Sequence, residues 1–186
     1  MTQMTQRLTH MIRRIGLTLL AGVFLGIFTG IAARLIMRIV AIVYPERFQG
    51  FTLEGTGILL LFGTGISLAM SLLFSVLKAR LSRSWVKQGL IFGFLLLLCF
   101  GIPLFCLHAD GELAGPQRLL GISLFLPLIV ISSLLLAKVV HTLENKMPST
   151  KSVAMVHYAS FTLLILPAIL FLVNLVSSVL TSLQKF

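Results

Sequence analysis

The sequence predicts an all-α integral membrane protein, an up-down bundle of five transmembrane helices, and three observations predict it. Residues 15–33, 55–77, 88–107, 119–137 and 158–183 contain no Asp, Glu, Lys, Arg or His. As helices these stretches match a hydrocarbon core of roughly 30 Å, which takes about 20 residues to cross. The segments between them are short and polar, so consecutive helices are antiparallel neighbours. The basic residues divide unevenly between the two sets of loops, which orients the bundle.

Composition supports that reading. The 186 residues are 58% hydrophobic and 11% charged, and the mean hydropathy is strongly positive. Five spans and their loops occupy nearly the whole chain, leaving a single transmembrane helical domain over residues 1–186 and no length for a soluble catalytic module. The formal net charge of +10 would suggest nucleic acid in a soluble protein. Here the basic residues border apolar spans, so anionic lipid headgroups are the expected partners and nucleic acid is not.

The elements follow in order. The first dozen residues are polar and basic and precede a helix expected at 15–43. Arg13 and Arg14, then an apolar run closed by Gly30, Ile31, Ala32 and Ala33, have the outline of a secretory signal. The run is longer than a usual signal core and Arg34 follows at once, so it reads as a retained membrane helix. Pro45, Gly50 and polar neighbours turn the chain into a second helix, 55–77. A basic turn with Trp85, a residue that favours the membrane–water interface, leads to a third helix, 88–107. A Gly/Pro/acidic turn precedes the fourth, 119–140, and a loop with Pro148 precedes the fifth, 153–183. Pro127 and Pro167 fall inside the last two helices and are expected to kink them, since each removes a backbone donor.

Placing the N-terminus in the cytoplasm puts Arg7, Arg13, Arg14, Lys78, Arg80, Arg83, Lys87, Lys138, Lys146 and Lys151 inside. It leaves Arg34, Arg38, Arg47, Arg118 and Lys185 outside. Ten against five has the sense of the positive-inside rule. Of the acids, Glu46, Glu54, Asp110 and Glu112 fall outside and Glu144 inside. With five spans the C-terminus lies outside, and the expected location is the cell (inner) membrane of a bacterium.

Small residues suggest how two of the helices meet. Gly22, Gly26 and Gly30 recur every four residues along the first helix, and Gly63, Ser67, Ser71 and Ser75 do so along the second. Lipid supplies no hydrophobic force between helices, so association depends on close backbone approach, which such ridges permit. The expectation is a close crossing of the two ridges; the competing readings are that small residues are merely common in membrane helices, or that one ridge mediates self-association.

Arg34 and Arg38 continue the glycine series. Four residues turn a helix by about 40° beyond a full turn, so Gly30, Arg34 and Arg38 share one broad face. Three explanations compete: snorkelling to outer headgroups with Glu54 as partner, an anion site for a lipid phosphate or acidic partner, and a charged step in a transport path. Guanidinium does not titrate near neutral pH, so the set is not catalytic.

Enzyme signatures are absent: there is no G-x-S-x-G, H-E-x-x-H or Walker loop, and no pair of intramembrane carboxylates. No enzyme activity, cofactor or metal is expected. Cys99 and Cys106 are read as small apolar fillers and His141 and His157 as interfacial side chains. Asn174, Ser177 and Ser178 form a polar cluster expected to hydrogen-bond between helices.

The run Gly30-Ile-Ala-Ala-Arg-Leu-Ile-Met-Arg38, followed by Phe51-Thr-Leu-Glu-Gly-Thr56, resembles a pattern in small multi-helix membrane proteins of bacteria that carry no assigned activity. The resemblance covers about the first third of the chain. It implies a polytopic bacterial membrane protein and assigns no catalytic residue. The expected function is that of an accessory or structural subunit binding other membrane proteins or anionic lipid through the glycine ridge and outer arginines. The alternative is a small transporter or channel acting as a homo-oligomer, but no ionisable residue lies in mid-span where transporters usually place one.

Overall fold

A computed structural model describes residues 2–47, 53–81, 84–103, 115–146 and 151–184, and its regular elements are helical. Helix α1 runs Thr2–Val43, α2 Leu53–Leu77, α3 Trp85–Leu96, α4 Arg118–Lys146 and α5 Lys151–Gln184. Short 3-10 turns, Pro45–Arg47 and Lys78–Arg80, follow α1 and α2.

Four helices contain stretches long and apolar enough to cross a membrane: Met11–Val43, Leu53–Arg80, Arg118–Asn145 and Met155–Thr181. The third expected span differs. Trp85–Gly101 is a shorter apolar helix, and residues 104–107 of the expected 88–107 lie outside the described residues. Its last turn, Leu97–Gly101, widens to a π-helix in which the Ile102 N–H donates to the Leu97 carbonyl five residues back. Pro103 accounts for the disturbance: it has no N–H for the Cys99 carbonyl, and its ring crowds the turn before it.

The other boundaries shift outward. α1 begins at Thr2, so the leading polar residues extend the helix rather than precede it, giving 42 residues and a length of about 63 Å. α4 and α5 each begin before the expected start and run past the expected end, and both continue through Pro127 and Pro167.

α1 is the hub, packed against α2, α4 and α5, while α3 packs on α4. The reason lies in the glycines. A Cβ at Gly26 would overlap the Thr64 backbone, and one at Gly30 would lie 2.9 Å from the Leu60 Cα. From the other side, a Cβ at Gly63 would lie 2.8 Å from the Gly30 nitrogen and 3.1 Å from the Gly26 carbonyl oxygen. Gly22 meets the Ser71 side chain and lies close to the Ser67 carbonyl. Thr29 crosses the same seam, its hydroxyl 3.0 Å from the Ser67 hydroxyl and 3.4 Å from the Gly63 carbonyl. Ser75, half-buried, donates to the Leu72 carbonyl of its own helix.

Glycines build the remaining crossings too. Gly16 on α1 abuts the His157 carbonyl on α5, Gly65 on α2 receives the Phe171 ring, and Gly89 and Gly93 on α3 lie against Leu134 and Ser133 on α4. Between these crossings Leu17, Ala21, Leu25, Met70, Phe74, Phe92, Leu96, Leu136, Ala137 and Val140 form the main core. Phe74 and Phe92 meet edge to face, with ring centroids 5.1 Å apart, a geometry that suits the aromatic quadrupoles.

Candidate functional site

The successive α1–α2 contacts set the register of the arginine face. Gly22 meets Ser71, Gly26 meets Thr64 and Gly30 meets Leu60, as antiparallel helices require. Arg34 and Arg38 lie one and two turns beyond Gly30, and the α2 residues one and two turns before Leu60 include Thr56 and Leu53. Glu54 is the acid in the first turn of α2. Arg34 is half-buried, whereas Arg38 and Glu54 are exposed. A helix amino terminus carries partial positive charge and favours anions, so the neighbourhood of Arg34 and Arg38 is electropositive, offset by Glu54.

The glycine ridge is not available to a second protein, because α2 covers it. Close approach is worth having only where backbone meets backbone, and Gly22, Gly26 and Gly30 already meet α2. A partner must therefore use another surface.

The opposite end of the bundle holds the clearest charge pairing. Lys78, just after α2, forms an ion pair with Glu144 near the end of α4, and the Lys78 side chain is only 11% exposed. The Lys138 ammonium lies 5.9 Å from the Trp85 ring centroid, within cation–π range. Asn145 and His141 are 3.1 Å apart on the α4 surface. Arg13, Arg14, Arg80 and Lys87 belong to the same end. The signal for the Lys78–Glu144 pair was present in the sequence, where Glu144 stands alone among ten basic residues. Its partner was not, since three of those residues fall within ten positions of Lys78.

Three smaller expectations are corrected. His157 is not interfacial: it is 1% exposed at the α1–α5 crossing, and neither ring nitrogen has a hydrogen-bond partner. The cause is Gly16, which lets α1 close over it. Cys99 is not a filler, being exposed on the π turn; Cys106 lies outside the described residues. Asn174 does not bond between helices within the described chain. It is exposed, and its carbonyl accepts the Ser178 hydroxyl at 3.0 Å.

Among the described residues no three His, Cys, Asp or Glu side chains come together. Comparison with known proteins finds no family, no curated protein and no solved structure that this chain matches. What the fold itself defines is a helical bundle with four helices of membrane-spanning length and apolarity.

Proposed function

We propose that the chain is an accessory integral membrane protein that engages an anionic group, a lipid headgroup phosphate or an acidic partner, through Arg34 and Arg38. The observation that carries this reading is the α1–α2 register, which continues from Gly30 to set both arginines beside the amino-terminal turns of α2. Guanidinium forks bind phosphate and carboxylate bidentately, and the helix amino terminus adds field of the same sign. Glu54, exposed in the first turn of α2, moderates the charge.

The same reading places the N-terminus in the cytoplasm. Arg13, Arg14, Arg80, Lys87 and Lys138 gather toward one end, which suits the anionic cytoplasmic leaflet of a cell membrane. Arg34 and Arg38 then stand at the outer face, against the charge preference, which supports a use for them beyond anchoring.

The test is purification in mild detergent of the wild type and of an Arg34→Gln/Arg38→Gln double variant, with bound lipid and protein identified by mass spectrometry. Loss of one phosphate-bearing lipid or acidic protein in the double variant, with the bundle still folded, is the expected result. Identical lipids and partners in both would reduce the arginines to interfacial anchors.

A further inference from the structure

Helix α5 has two unlike sides. One carries Ala168, fully buried with Leu19 and Leu68, and Phe171, seated on Gly65. The side turned away carries Leu163, Leu170, Asn174, Ser177 and Thr181, all exposed. Their spacing is regular. Leu163, Leu170 and Ser177 recur every seven residues, and Pro167, Asn174 and Thr181 recur every seven, offset by four. That is the a/d pattern of a left-handed helix–helix seam, exposed at every position but the half-buried Pro167 among the described residues.

Asn174 adds a second and independent demand. Its amide has no partner among the described residues, although it lies within a 27-residue apolar stretch, Met155–Thr181. In hydrocarbon there is no water to satisfy such a group. Two neighbouring hydroxyls make no such demand on the surroundings: Ser178 donates to the Asn174 carbonyl and Thr181 to the Ser177 carbonyl, at 3.0 and 2.9 Å.

We propose that α5 pairs with α5 of a second copy of this chain, in parallel about a two-fold axis, with the two Asn174 amides hydrogen-bonded to each other across it. A second copy fits because an amide is both donor and acceptor, so two copies related by a two-fold axis satisfy one another without a further group. Copies inserted in one membrane share their orientation, which makes the α5 pair parallel. A parallel seam then brings residue 174 opposite residue 174, and an Asn at such a position fixes register and favours the dimer. Ser177 and Thr181 are small enough to let the backbones approach beside it, and Leu163 and Leu170 fill the rest of the seam. This goes beyond the arginine reading and does not depend on it, requiring only that α5 lie in a membrane.

The experiment uses the full chain in proteoliposomes, with Cys99 and Cys106 replaced by Ala and single cysteines introduced by Ser177→Cys or Val176→Cys. The two positions share a depth but differ by about 100° around the helix. Oxidation should give a covalent dimer from Ser177→Cys and little from Val176→Cys. In a Ser177→Cys background, Asn174→Leu should weaken dimerisation by about tenfold and Asn174→Gln should retain it. Because Asn174 is exposed and makes no side-chain hydrogen bond among the described residues, thermal stability of the monomer in detergent should be unchanged by either. Equal cross-linking at 176 and 177, or a monomer at both, would overturn the proposal. So would a dimer undiminished by Asn174→Leu.

Discussion

No side chain fits between Gly26 of α1 and Thr64 of α2: a methyl group at Gly26 would overlap the Thr64 backbone and lie 3.0 Å from its Cβ and Oγ1. The obstacle is main chain, so it cannot rotate away. Gly26→Leu should separate the two helices and lower stability by about 1–3 kcal/mol, seen as a fall of several degrees in the thermal midpoint in detergent. Ile27→Leu, at a half-exposed neighbour, should change it by less than about 0.5 kcal/mol. Equal effects would show that the glycine face does not carry the crossing.

The Lys78–Glu144 pair should behave as a tether between the ends of α2 and α4. Lys78 is largely enclosed and Glu144 about one-third exposed, so Glu144→Gln leaves a poorly hydrated ammonium without its counter-charge. A loss of about 1 kcal/mol is expected, near the upper end for exposed pairs. The exchanged pair Lys78→Glu/Glu144→Lys should recover much of it. Failure of the exchange to recover stability would mean that each residue acts alone.

Orientation is tested by cysteine labelling at two exposed positions, Ser84 and Glu46, in the cysteine-free chain. An impermeant thiol reagent applied to intact cells should label Glu46→Cys at once and Ser84→Cys only after permeabilisation. The reverse pattern would invert the bundle and place Arg34 and Arg38 in the cytoplasm.

If Arg34 and Arg38 bind phosphate as forks, lysine should substitute incompletely. Arg34→Lys/Arg38→Lys keeps both charges and loses the bidentate geometry, so it should retain an intermediate amount of the bound anion between wild type and the double Gln variant. Retention equal to wild type would indicate charge alone. Glu54→Gln should strengthen anion retention modestly, because it removes the competing carboxylate.

How much was legible in the sequence varies with the length of the signal. The four long helices follow from runs of apolar residues far longer than any alternative requires, and the spacing of Gly22, Gly26, Gly30 and Gly63 marks the faces on which α1 and α2 touch. The π turn at Leu97–Gly101 was not legible, although Pro103 supplies its cause, because a proline near a helix end is equally compatible with a plain stop. The glycines at 16, 89 and 93 were also passed over. Gly16 stands alone and Gly89 and Gly93 make only one four-residue step, and so short a signal says nothing about what approaches it until the partner helix is known.

The sequence by itself determined the helical class and four stretches long and apolar enough to cross a membrane, since these depend on the transfer of each residue from water and act locally along the chain. Only the tertiary structure decided which faces are covered. It seats α1 at the centre, closes α2 over the glycine ridge, pairs Lys78 with Glu144, buries His157 against Gly16 and leaves Asn174 facing outward. In helices whose spanning stretches are apolar on every side, hydrophobicity cannot distinguish a face that meets lipid from one that meets another helix. That choice rests on shape, on how closely two backbones can approach, and shape is set between helices rather than along one.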